Sequence, residues 1–152
     1  MNNNRMILKI SAIGQNEGFA RSAVAAFAAP LGPTIDELSD VKTAVSEAVT
    51  NCVVHAYKGE ESTENYITIT CEANEETGVL HIEVADTGCG IENVEKALQP
   101  LFTTSKSAER SGMGFTIMQT FTDGCEVVSE KGGGTVVKMR KKFGKKAGDN
   151  AE

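Results

Sequence analysis

No apolar run in the chain approaches the length of a membrane span, and the opening residues Met1-Asn2-Asn3-Asn4-Arg5 lack the apolar core of a secretory signal. A cytoplasmic protein with no membrane contact is expected. Cysteine is sparse and scattered. Cys52, Cys71, Cys89 and Cys125 form no CxxC pair and stand near no histidine cluster, which argues against a zinc site or a disulfide framework and for reduced, buried thiols. Histidine is scarcer still, at His55 and His81 only. The glycine-lysine signature of a P-loop is missing, as are the HRD and DFG sequences of eukaryotic-type kinases, so any phosphoryl chemistry here uses another scaffold. There are no internal repeats and no linker. The 152 residues therefore read as one domain, able to bury roughly two thirds of its unfolded surface.

The charge balance is uneven. The net charge is −6, yet Lys138, Arg140, Lys141, Lys142, Lys145 and Lys146 crowd the end of a chain whose residues 1–137 hold 9 basic against 19 acidic side chains. A basic end can bind nucleic acid or an acidic partner. The preferred reading is a solvated last strand whose lysines discourage edge pairing, followed by a basic tail over 144–152 that is expected to be disordered. No direct nucleic-acid binding is expected.

Glu47, Asn51 and His55 recur every fourth residue in an otherwise apolar segment. A helix turns about 100° per residue, so steps of four drift by roughly 40° and the three side chains share one strip of surface. Leu38, Val41, Val45, Ala48, Val49, Cys52 and Ala56 follow the spacing of a core stripe on the adjoining side. The same helix thus presents a core face and a face able to activate a hydroxyl and hold a divalent ion.

Alternation predicts a first strand over 6–13, and Asn16 is expected to cap a helix from Glu17 to about Ala29, with Phe19, Ala23, Val24 and Phe27 inward. Pro30, Gly32 and Pro33 end it. Thr34 with Glu37 forms a capping box for the helix that carries the polar file, and 57–65 reads as a polar loop. Strands over 66–73 and 79–85 flank the turn Asn74-Glu75-Glu76-Thr77-Gly78, with Ile67, Ile69 and Cys71 on one face and Leu80, Ile82 and Val84 on the other strand's matching face. A short helix near 94–98, a surface loop over 103–111, a helix from Gly112 to about Thr122 and strands over 125–129 and 135–143 complete the chain. The expected fold is α+β: a two-layer sandwich with a mixed, mainly antiparallel sheet and helices on one face.

Three glycine-bearing stations accompany the file. Asp86-Thr87-Gly88-Cys89-Gly90-Ile91 follows a strand, where Asp86 can accept from an exocyclic amine and the glycines let a base approach. Gly112-Met113-Gly114 places backbone N–H groups at a helix N-terminus, where the dipole favours phosphate. Gly134-Thr135 opens the last strand with a hydroxyl. Asp-Thr-Gly alone is most often a turn, and it is also the triplet of aspartic proteases; such a chain should be nearly all strand, against the capped helices here.

In this order and spacing the set resembles the Bergerat-type (GHKL) ATP-binding fold shared by gyrase B, Hsp90-type chaperones, histidine kinases and MutL. The length and the lack of a separate phosphoacceptor histidine disfavour most of those branches. Asn16 to Arg21, Ser46 to Asn51, Pro100 to Lys106 and Glu109 to Met118 are similar to the anti-sigma F factors of spore-forming bacteria, and the likeness spans about residues 6–143. It implies a domain over 1–143 that binds a sporulation sigma factor, acts as a homodimer, and phosphorylates an anti-anti-sigma protein on serine with Mg²⁺ and ATP, leaving ADP. Within that reading Glu47 is the general base and Asn51 offers Mg²⁺ an oxygen. His55 either lines the nucleotide site or is a satisfied, non-catalytic histidine.

Asp86 accepts from adenine N6, Gly88 and Gly90 leave room for the base, and Thr135 helps through its hydroxyl or a water. Asp86→Ala should abolish nucleotide binding with the fold intact. Thr103, Thr104, Ser105, Gly112, Met113 and Gly114 donate to phosphate oxygens, and Lys106 and Arg110 meet the γ-phosphate or a partner's acidic patch, or are simply solvated. Arg21 is a partner contact by the resemblance alone. Cys89 fills a variable motif position. A non-catalytic, ATP-dependent sigma-binding module stays open as an alternative, as does the related stress-regulon anti-sigma kinase, which the match over 109–118 disfavours.

Overall fold

The computed structural model describes residues 3–58, 62–90, 98, 114–129 and 131–144. Among them, strand β1 (Asn3–Ser11) leads into helix α1 (Asn16–Ala28), a 3₁₀ turn (Ala29–Leu31) and helix α2 (Ile35–Asn51), which continues as a π turn (Cys52–Ala56). Strands β2 (Tyr66–Asn74) and β3 (Val79–Asp86) form a hairpin, followed by helix α3 (Gly114–Phe121) and the hairpin of β4 (Gly124–Ser129) and β5 (Thr135–Lys142). Apart from Leu98, the helix expected near 94–98 lies outside the described residues, as do the loop over 103–111 and the tail beyond 144.

The five strands lie in the order β1-β2-β3-β5-β4, and among the described residues all four pairings are antiparallel, where a mixed, mainly antiparallel sheet was expected. Alternation sends Ile67, Ile69, Cys71, Leu80, Ile82, Val84, Val137 and Met139 to one face, where they are buried with Val24 of α1, Val41, Val45 and Val49 of α2, and Met118 of α3. Each fully buried Ile or Leu contributes roughly 1.5–3 kcal/mol. This is the α+β two-layer sandwich the pattern predicts. The other face mixes charge with exposed apolar side chains: Glu83 stands opposite Lys138, which stands opposite Glu126, and Ile7 and Val128 are exposed on the same side.

The predicted strands β2 and β3 and the capping box of α2 are present as expected. Thr34 Oγ1 accepts from the Glu37 N–H at 3.1 Å while Glu37 Oε1 accepts from the Thr34 N–H at 2.9 Å. The Asn16 cap is not present. Asn16 is the first helical residue, and its Nδ2 donates to the Ser11 carbonyl at 2.9 Å, tying α1 back to β1. Strand β1 stops at Ser11, because Ile13 turns to donate to the Ser11 carbonyl and to accept from Asn16 N–H.

Helix α1 buries Ala20, Val24, Ala25 and Ala28, while Phe19 is 55% exposed. Helix α1 packs on α2, and its small buried side chains suit a close approach, since interhelical distance follows the size of the side chains at the contact. Strand β5 is interior, because the final hairpin lays β4 outside it. Its lysines therefore do not guard an edge. Lys141 instead donates to Asp40 Oδ2 at 3.2 Å and to the Phe121 carbonyl at 3.0 Å, fastening β5 to α2 and α3.

Candidate functional site

Helix α2 crosses the middle of the helical layer, packed between α1 and α3 and over β3. Its core stripe is buried, which leaves Glu47 and Asn51 half-buried on an adjoining face. Both turn toward the start of α3. A Cβ added to Gly114 would stand 3.2 Å from Asn51 Oδ1 and 3.4 Å from both Asn51 Nδ2 and Glu47 Oε2, so the two side-chain ends lie against the start of α3. A carboxylate and a carboxamide oxygen thus converge at a helix N-terminus, where the dipole favours an anion. These are hard oxygen donors of the kind Mg²⁺ takes.

His55 departs from the file. The Tyr57 N–H donates to the Cys52 carbonyl at 3.1 Å, an i→i+5 step that ends the four-residue spacing, so the predicted file is regular only through Asn51. The His55 carbonyl accepts from Cys89 Sγ at 3.3 Å, and the Ala56 carbonyl accepts from the Cys89 N–H at 2.9 Å. The π turn is thereby the wall against which residues 86–90 are laid. Gly88 abuts it, and an added Cβ there would collide with the Ala56 carbonyl.

Asp86 ends β3 and is 9% exposed. Its Oδ1 accepts from the Gly88 N–H at 3.0 Å and the Thr135 N–H at 3.2 Å, and its Oδ2 accepts from Cys52 Sγ at 3.4 Å. Burial raises the Asp86 pKa above its ordinary value, and the bonds from Gly88, Cys52 and Thr135 oppose that shift. Burial first, and the Asp86 charge second, push the Cys52 thiol well up, so Cys52 stays protonated as a donor. An Asp86→Ala change would orphan two backbone N–H groups and a thiol, so the expectation of an intact fold in that variant is replaced by a loss of stability.

Thr135 reaches Asp86 through its backbone. Its hydroxyl is paired with Ser129 Oγ at 2.7 Å. Gly134, at φ 82°, brings the last strand against the Asp86 carbonyl, where a Cβ would collide, and Gly90 has φ 73°. Two further residues escape a reading by sequence. Cys52 was hidden in the apolar stripe. Tyr57, whose hydroxyl donates to the Tyr66 carbonyl at 2.7 Å and accepts from the Thr87 N–H at 3.0 Å, sits just past the helix with no motif to mark it.

Arg21 is half-exposed and paired with Glu17 at 3.0 Å. It shares a surface depression of about 290 Å³ with Ser39, Lys42, Thr43, Ser46 and Glu47. Arg21 and Glu47 therefore open onto one surface. Thr103, Thr104, Ser105, Lys106, Arg110, Gly112 and Met113 lie outside the described residues.

The profile of the histidine kinase-like ATPase domain matches residues 14–141. The anti-sigma F factor of Caldanaerobacter subterraneus is 58% identical over 144 residues, covering 94% of this chain and 96% of that protein. That of Clostridium beijerinckii is 52% identical, covering 94% and 97%. Among solved structures, the RsbU and RsbW domains of a Mycobacterium tuberculosis protein share the fold at 17% identity and a TM-score of 0.67, over 95% of this chain. This chain spans 34%, about a third, of that one. By the matched profile the chain is a histidine kinase-like ATPase domain, a class that binds nucleotide. Within it the chain belongs to the anti-sigma F factor family.

Proposed function

We propose that the protein binds a sporulation sigma factor and uses Mg-ATP to phosphorylate an anti-anti-sigma protein on serine. The observation that carries the catalytic part is the convergence of Glu47 and Asn51 on Gly114. Glu47 accepts the proton of the incoming serine hydroxyl as its oxygen bonds to the γ-phosphorus and the bond to the ADP oxygen breaks. The Asn51 oxygen would hold Mg²⁺, which supplies charge neutralisation at the phosphates. Gly114 and the start of α3 orient the anionic chain, joined by Thr104, Ser105, Lys106, Arg110, Gly112 and Met113. Asp86 accepts from the adenine 6-amino group, with Gly88, Gly90 and Thr135 shaping its surroundings and His55 bordering them.

The family names support the sigma-factor part of this reading, and the histidine kinase-like ATPase profile supports the use of ATP. The depression joining Arg21 to Glu47 supports a partner that docks on α1 and α2 with its serine reaching the base. A homodimer, a cytoplasmic location and a single domain over 1–143 with a basic tail belong to the same reading. Incubation of the protein with labelled ATP, Mg²⁺ and the anti-anti-sigma partner tests it. Label on a partner serine is expected. No transfer at any concentration would leave a sigma-binding module that uses nucleotide only as a structural ligand.

A further inference from the structure

We infer that Cys52 is a positioning residue for base recognition, aiming Asp86 Oδ2 so that a single acceptor site faces the nucleotide. This rests on Asp86 being the group that reads adenine. A carboxylate offers about four lone-pair sites, two on each oxygen. Among the described residues, Oδ1 is filled by the N–H groups of Gly88 and Thr135 and Oδ2 carries the Cys52 thiol, which leaves one of the four sites without a donor from them on a side chain that is otherwise buried. One acceptor suits one donor, the 6-amino group of adenine. The 6-oxo group of guanine or hypoxanthine would present an acceptor to an acceptor.

The thiol is placed for this task, buried at the end of α2 with its Sγ 3.4 Å from Asp86 Oδ2. A thiol is also a weak donor, so it fixes the carboxylate's rotation while leaving most of its negative charge for the ligand. Cys52 lies next to Asn51 in the chain, and adjacent helical residues project about 100° apart. One peptide unit thus sends the Asn51 side chain to the start of α3 and the Cys52 side chain to Asp86.

The test measures binding of ADP and of purine riboside diphosphate, which carries hydrogen in place of the 6-amino group, to the full chain. Cys52→Ala should weaken ADP by about three- to tenfold, the effect of one modest hydrogen bond, and leave the purine analogue within about twofold. Cys52→Ser should restore ADP binding. Should the alanine variant fold poorly, Cys52→Val fills the space without the donor and should reproduce the selective loss. Equal losses for both nucleotides, or none for ADP, would overturn the inference. Asp86→Asn separates the two claims. If it leaves the preference for ADP over the purine analogue unchanged, the adenine reading itself fails; if it removes that preference while Cys52→Ala keeps it, only the role of Cys52 fails.

Discussion

Glu47 and Asn51 reach Gly114 from successive turns of one helix, whereas Asp86 is held by donors from residues 52, 88 and 135, drawn from a π turn, a loop and a strand. The first arrangement depends on local helical geometry and on a nearby helix end. The second exists only when the sheet is assembled, since Thr135 pairs with Asp86 across β3 and β5. Changes at the helical half should therefore act on turnover and spare the fold. Changes at the sheet half should lower nucleotide affinity and stability together.

The largest expected effect is Glu47→Gln, which keeps shape and removes the base. Serine phosphorylation should fall by about 10²–10⁴-fold. ADP affinity and the melting temperature should stay near those of the unchanged protein, read by calorimetry alongside the transfer assay. A melting temperature lowered as far as in the Asp86 variant would break the contrast between the halves.

Next comes Asp86→Asn, with an expected loss of about 1.5–3 kcal/mol in ADP binding, the range for hydrogen bonds to charged groups. Its pH signature sharpens the comparison. Burial holds the folded pKa of Asp86 above its unfolded value, so the stability it contributes is full below the unfolded pKa and declines as pH rises through the folded one. The ionised carboxylate is the stronger acceptor for a 6-amino group, so ADP affinity should rise as pH climbs through that raised folded pKa. Denaturation and binding curves across that interval should slope in opposite senses, and Asp86→Asn should flatten both. Parallel slopes in the unchanged protein would refute the assignment.

Gly88→Ala should cost about 1–3 kcal/mol of stability, because the added methyl meets the Ala56 carbonyl, a backbone atom that cannot swing aside. The π turn and the 86–90 loop must then separate. Chemical denaturation measures the loss, and ADP binding should weaken with it. A fully stable variant that still binds ADP would show that this packing is dispensable.

What could be read from the chain follows the same division. The Thr34 and Glu37 box, the alternation of Ile67, Ile69 and Cys71, and the spacing of Glu47 and Asn51 are local regularities, and each is in place. The π turn was not legible, since its carbonyls at His55 and Ala56 are engaged by Cys89, a residue more than thirty positions on. Cys52 fits an apolar stripe by its spacing, and only the approach of β3 reveals its polar use. The Asn16 cap failed because the Ser11 carbonyl took the side chain, and the interior place of β5 failed because a hairpin's sequence does not say which of its strands lies outermost. Aromatic residues misled on α1, where close packing on α2 favours alanine and leaves Phe19 outward.

The smallest expected effect belongs to Tyr57→Phe, which tests how firmly the two halves are joined. The hydroxyl links the end of the π turn to β2 through the Tyr66 carbonyl and to the residue after Asp86 through the Thr87 N–H, with Thr87 Oγ1 at 3.3 Å. These bonds are solvent-accessible, so water replaces much of what is lost and the cost should be about 0.5–1.5 kcal/mol. Because Thr87 adjoins Asp86, ADP affinity should drop by about two- to fivefold while phosphoryl transfer at saturating ATP stays nearly unchanged. Hydrogen exchange at the Thr87 amide should quicken, and exchange in the first turns of α2 should not. Faster exchange at Glu47 and Asn51 would mean that the helical half depends on the loop after all, and the division drawn between them would have to move to the far side of the π turn.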